Sequence, residues 1–205
     1  MNLNGSACIV GAFEHPTRKA DALSVVRLHA DVAKGALADA GLSKSDIDGY
    51  FCAGDAPGLG ANTVAEYLGL KLRHVDSTEC GGSAPILHVA HAAEAIAAGR
   101  CNVALITLAG RPRAQMAAVQ AAAKEGKSGK APLALKPPDP DAPELAFELP
   151  YGPTTQNLYA AVAKRHMFEF GTTSEQLAWI KVAASHHAQH NPHAMLRDVV
   201  TVADV

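Results

Sequence analysis

The chain has 205 residues, 48% hydrophobic and 19% charged, with a net charge of -2. That is enough apolar material for one large domain or a domain with a subdomain. The charge balance lacks the basic excess that a nucleic-acid surface needs. Four cysteines without a C-x-x-C pair argue against a disulfide scaffold and against a cysteine zinc site. No run approaches the roughly 18 apolar residues of a membrane-spanning helix, so no membrane insertion is expected. Met1 to Cys8 has neither a basic region nor a long apolar run, so no signal peptide is expected and the cytoplasm is the expected compartment.

In chain order, Ala7–Gly11 is short and apolar and reads as a buried strand, with Cys8 and Cys52 as buried thiols. Residues 21–40 carry Leu23, Val26, Ala30, Ala33 and Leu37 at helical spacing, and Gly41 stands where a terminal glycine would stop the helix. Ser43 with Asp46 suggests a capping box on one short turn. A strand is expected at 49–53, a short helix at 62–70, a strand at 74–76, a helix at 83–98 ended by Gly99, and a strand at 103–108. This alternation predicts an α/β fold: a mostly parallel sheet, with 83–98 a largely buried helix. Residues 111–150 are rich in Pro, Ala, Lys and Gly and read as a loop excursion with some helix at 116–125. Helices return at 154–170, ended by Gly171, and at 174–190, with Ser174 as the expected N-cap.

The chemically informative stretch is His74-Val-Asp-Ser-Thr-Glu-Cys80-Gly-Gly82-Ser83, followed by an Ala-rich helix. Strand, tight turn and helix form the joint by which many α/β enzymes expose a nucleophile. Glycines allow the bend, and the helix start supplies positive potential that lowers a thiol pKa. The plain alternative is a structural turn with one thiol.

Two further runs give that joint a context. One is Ala92-Ala-Glu-Ala-Ile-Ala-Ala-Gly-Arg-Cys-Asn-Val-Ala-Leu-Ile106; the other is His166-Met167 through Gly171-Thr172 and Glu175 to Asn191-Pro192 and Asp198. In this order they resemble the thiolase superfamily, in its lipid-transfer or sterol-carrier-protein thiolase branch, over nearly the whole chain. The resemblance implies a thiolase-like half-fold: a core over 1–110, a loop subdomain over 111–198, and the start of a continuation at 199–205. It also implies a coenzyme A thioester as substrate, no covalently bound cofactor, a homodimer, and a small zinc-ribbon and OB-fold partner subunit.

The departures from the family pattern shape the expected chemistry. Counting back from Gly99 by the family's spacing lands on Gly82, with Cys80 two residues early. Either a shifted turn brings Cys80 into the catalytic position, or the chemistry proceeds without an acyl-cysteine, since glycine cannot form a thioester. Retro-aldol cleavage beside a thioester needs an acid/base and an oxyanion stabiliser but no nucleophile. The family's second half, with its histidine segments, does not follow, so a truncated chain is expected. An acyl-CoA-binding subunit or an inactive fragment is the alternative to an enzyme. Ser83 and Tyr151 are the expected substrate contacts, Tyr151 because its segment corresponds to one lining the family's acyl pocket.

Weaker patterns are read plainly. His88, His91 and Glu94 share a helix face, but hydrogen-bonded polar groups are a better reading than a metal site, and none is assigned. The histidines at 186, 187, 190 and 193 lack the H-E-x-x-H pattern and read as a solvated surface. Lys124, Lys127, Lys130 and Lys136 read as a solvated loop.

Overall fold

The computed structural model describes residues 3–18, 20, 22–53, 56–114, 117, 121 and 155–205. The chain divides into two compact units, Met1–Ser128 and Gly129–Val205. The expected helical segment at 116–125 and the Lys-rich stretch lie outside the described residues, 117 and 121 apart.

In the first unit the elements alternate as expected: α1 (Val25–Ala40), β1 (Gly49–Cys52), α2 (Ala61–Leu68), β2 (His74–Asp76), α3 (Ala84–Ala97) and β3 (Ala104–Thr107). The fold is α/β. The three strands are all parallel, in the order β2-β1-β3. Helix α1 starts where Ser24 Oγ accepts the Arg27 N–H at 3.1 Å and stops at Gly41, whose φ of 67° is open mainly to glycine. The short turn after it is closed by Asp46, whose carboxylate accepts both the backbone N–H and the hydroxyl of Ser43 at 2.7 Å.

Strand periodicity sorts the core into two layers. Tyr50, Cys52 and Leu105 pack with Ala33 of α1 and Val64 of α2 on one side. Phe51, Ala104 and Ile106 pack with Ala92 and Ala95 of α3 on the other. β1 is covered on both faces, which is why its four residues form an uninterrupted apolar run and are all buried. Gly49 gives Cys101 room: a Cβ there would lie 2.8 Å from Cys101 Sγ, so that buried side chain would have to shift. Asp48 ties the strands together at their start: its carboxylate accepts the Asn102 and Val103 N–H groups at 2.7 and 2.9 Å, while its carbonyl accepts from Arg73 and His74.

Three expectations need correction. Ala7–Gly11 is not a strand. It lies against α1, where a Cβ on Gly11 would come within 2.6 Å of the Ala36 carbonyl, and Ile9 and Val10 are exposed. An apolar run becomes a strand only when a neighbour completes its ladder, and this one meets a helix instead. For the same reason Cys8 is exposed, whereas Cys52 is buried as expected and Cys101 joins it. Helix α3 is buried along one face only: Ala84, His88, Ala92 and Ala95 face the sheet, while Ile86 and Val89 are exposed.

The second unit holds α4 (Thr155–Phe170) and α5 (Ser174–Ala188). Gly171, at φ 70°, ends α4 by donating its N–H to Met167 O at 2.9 Å. The N-cap of α5 is Thr173, not Ser174. Its hydroxyl accepts the Gln176 N–H, and the Gln176 side chain accepts the Thr173 N–H, a reciprocal box that Ser174 could not form with this register. Ser185, buried on α5, accepts the Val200 N–H at 3.1 Å and so fastens the terminal segment.

Candidate functional site

The candidate site is the joint from the carboxyl end of β2 to the start of α3. Asp76, the last residue of β2, organises it. One carboxylate oxygen accepts both the backbone N–H and the hydroxyl of Thr78 at 2.7 Å, turning the chain sharply out of the sheet. The other oxygen lies 2.6 Å from His91 Nδ1, one helical step along α3 from the buried His88. His88 Nε2 reaches the Thr78 carbonyl at 2.9 Å. The turn is thus held from beneath by two histidines of the helix it leads into. Partial burial works to raise the Asp76 pKa, but the Thr78 and His91 hydrogen bonds outweigh it and hold this carboxyl at about 2.

Above this frame sit the four residues singled out by sequence. Gly81 takes φ 78° and makes the bend, with its N–H donating to the Glu79 carboxylate at 2.6 Å. Ser83 is the residue before α3. Its hydroxyl lies 3.6 Å from Cys80 Sγ and donates to the Cys80 carbonyl at 3.4 Å. The turn therefore folds Cys80 back over the start of the helix, although it stands four positions before Ala84. Cys80 is exposed. Gly82 is exposed too, and a Cβ on it would meet nothing within 4 Å. A side chain at 82 is absent by sequence, not by lack of room.

The start of α3 keeps few free donors. The Ala84 N–H is taken by Gly81 O, Pro85 has none, and Ile86 and Leu87 both donate to Ser83 O. The other thiols of the sheet differ in kind. Burial pushes the Cys52 thiol up in pKa, and burial followed by the nearby Asp48 carboxylate does the same for Cys101, so both stay protonated and inert at neutral pH.

The structure brings Cys80, Gly82 and Ser83 together; Tyr151 lies outside the described residues. His88, His91 and Glu94 are not gathered at one point. The histidines hold Thr78 and Asp76, as a hydrogen-bonded reading requires, and Glu94 points to solvent. Among the described residues no group of three His, Cys, Asp or Glu side chains is placed to hold a metal ion. Sequence reading missed Asp76. The signal was present in Asp76-Ser77-Thr78, an acid two residues before a hydroxyl at a strand end, which favours a side-chain-closed turn.

No family model matches the chain. It is 32% identical over 197 residues to the 17-hydroxy-3-oxo-4-pregnene-20-carboxyl-CoA lyase of Mycobacterium tuberculosis, covering 94% of this chain and 48% of that protein. It is 30% identical to the steroid side-chain-cleaving aldolase of Thermomonospora curvata, covering 94% and 47%. A 64-residue stretch is 44% identical to the acetyl-CoA acetyltransferase of Methanothermobacter thermautotrophicus, 31% of this chain and 17% of that protein. The solved structure of an Ltp2-ChsH2(DUF35) aldolase superposes with a TM-score of 0.71 at 29% identity, covering 95% of this chain and 46% of that one. The chain thus spans about half the length of the lyase and the aldolase. The expected relation to thiolases holds in the shorter match. These near-full-length matches are to a lyase and an aldolase rather than to a sterol-carrier-protein thiolase.

Proposed function

We propose that this chain belongs to an enzyme that breaks or forms a C–C bond beside a coenzyme A thioester, by retro-aldol or aldol chemistry and without an acyl-cysteine. The observation that carries this reading is the similarity over 94% of the chain to a CoA-thioester lyase, at 32% identity. The turn is compatible with it: on this reading Gly82 stands at the nucleophile position, and it is exposed with open space where a side chain would stand.

In the retro-aldol direction a base takes the proton of the substrate's β-hydroxyl. The Cα–Cβ bond breaks, Cβ becomes a carbonyl, and the electron pair passes to Cα as a thioester enolate, which is then protonated. This needs proton transfer and a stabilised enolate oxygen, and no covalent bond to protein. On this reading Ser83 and Cys80 supply polar contacts to the thioester end, Tyr151 contacts the acyl group, and Asp76 with His91 positions the turn. The whole protein would act in the cytoplasm as a homodimer with a small zinc-ribbon and OB-fold partner; the aldolase structure, whose name couples Ltp2 to ChsH2(DUF35), supports a partnered assembly. No helix of the described residues is long and apolar enough to cross a membrane.

The test is product analysis by mass spectrometry. The whole protein, with and without such a partner, is incubated with β-hydroxyacyl-CoA and β-ketoacyl-CoA thioesters plus free CoA; this chain alone is expected to be inactive. Cleavage of the β-hydroxyacyl-CoA to a ketone or aldehyde and a shorter acyl-CoA, without consumption of CoA, is expected. CoA-dependent thiolysis of the β-ketoacyl-CoA instead would contradict the reading.

A further inference from the structure

Beyond the carboxyl end of β3 lies a second concavity that the proposed chemistry does not use. It is a half-open cavity of about 370 Å³ between the segment following β3, the N-terminal segment before α1, and α1 itself. In a parallel sheet this edge is where ligands collect. The Cys80–Ser83 turn leaves the same edge from β2, with β1 between them.

The lining has two characters. Leu28 and Val32 of α1 and Leu108 form apolar wall, and Leu108 is 59% exposed. Arg111 and Arg113 supply positive charge. The acids nearby are already engaged: Glu14 pairs with Arg18 at 2.7 Å, and Asp31 is held by Arg27 at 2.8 Å and faces His15 at 3.7 Å. Among the described residues no carboxylate pairs with Arg111 or Arg113. Arg111 Nε–H is shielded from solvent yet has no hydrogen-bond partner among the described residues. A solvent-shielded N–H donor without an acceptor is a feature native structures rarely leave unexplained, and the planar guanidinium fork suits an oxyanion presented edge-on.

We propose that this cavity binds a small carboxylic acid with an apolar body, the carboxylate seated on Arg111 and the chain lying along Leu28, Val32 and Leu108. The apolar wall distinguishes such a ligand from a bare anion, which gains nothing from it. The lone buried donor distinguishes it from a neutral lipid, which would leave Arg111 Nε as it is. The site goes beyond the C–C bond chemistry proposed above, and its test reads binding, not turnover.

The experiment is isothermal titration of the full chain with decanoate, decanol and inorganic phosphate, repeated on Arg111→Met and on Val32→Phe. Melting curves check that each variant is folded. Decanoate is expected to bind, with decanol and phosphate at least tenfold weaker. Arg111→Met is expected to weaken decanoate at least tenfold and leave decanol unchanged, and Val32→Phe to weaken decanoate by filling the cavity. If Arg111→Met fails to fold, Val32→Phe and the decanol comparison still decide. Decanoate binding no tighter than phosphate or decanol, or unchanged in both variants, would overturn the proposal.

Discussion

The two units of this chain are built on different terms. In the first, β1 threads between two helical layers, and Tyr50, Phe51 and Cys52 are completely buried. In the second, α4 ends at Gly171 and α5 carries the reciprocal Thr173 cap, but the buried residues of α5 are Ala178, Val182 and Ser185, while Phe168, Phe170, Trp179 and Ile180 are 60–83% exposed. The first unit is held by burial; the helices of the second are defined by local hydrogen bonds and present apolar surface outward. Exposed aromatic and aliphatic side chains in such number mark a surface that associates with something.

That contrast can be broken by substitution. The largest effect is expected for Phe51→Ala, which empties a site packed on Ala92 and Ala95 and faced by the His74 and His88 rings; about 3–5 kcal/mol should be lost in urea unfolding. Trp179→Ala, at a 60% exposed position, should change the same measurement by about 0.5 kcal/mol or less. Equal effects would mean that the second unit is as tightly packed as the first.

Next comes the buried polar chain across the α1 face of the sheet. Thr107 Oγ1 lies 2.8 Å from His29 Nδ1 and 2.7 Å from the Tyr50 hydroxyl. Thr107→Val keeps the shape and removes both bonds, so a loss of about 1–3 kcal/mol is expected. Thr107→Ser should recover most of it.

The acid response of the candidate turn follows. Asp76 is held at about 2 in the folded chain against an ordinary 3.8. Its contribution is fully present above the ordinary value and is lost as pH falls through about 2. It amounts to about 2 kcal/mol. Unfolding free energies measured between pH 5 and pH 2 should fall in that window for the wild type, and the fall should be shallower in Asp76→Asn. Parallel pH profiles would show that Asp76 does not anchor the turn.

A modest effect is expected at the caps. Ser24→Ala in the first unit and Thr173→Ala in the second each remove one hydroxyl acceptor at a helix start, for about 1 kcal/mol. Circular dichroism melting should show similar shifts in both, because a cap acts locally whatever core lies beneath it.

Much of this fold was legible because its signals are local. Gly41, Gly99 and Gly171 each take the positive φ that ends or follows a helix, and the strand-helix alternation from 49 to 107 is periodic in the sequence. What misled was Ala7–Gly11: an apolar run states that it is buried or paired, not by what, and here it meets α1. Hydroxyl residues at 173 and 174 look alike as caps in sequence, and only the partner at Gln176 fixes the register. At the site, Cys80, Gly82 and Ser83 were visible as one turn. The Asp76–His91 bond spans fifteen positions and was not, because helical period reveals which residues share a face but not what that face meets. The Arg111 cavity was equally hidden, since it joins the N-terminal segment and α1 to the segment after β3, far along the chain.

The central claim is that the chemistry proceeds without an acyl-cysteine, and intact-mass spectrometry after incubation with acetyl-CoA or acetoacetyl-CoA tests it directly. Gly82→Cys provides the internal standard, because the space at 82 is open and, on the proposed register, a thiol there would stand at the nucleophile position. The wild-type chain is predicted to remain at its own mass. A stoichiometric acyl adduct on the wild type that maps to Cys80 and disappears in Cys80→Ser would contradict the account.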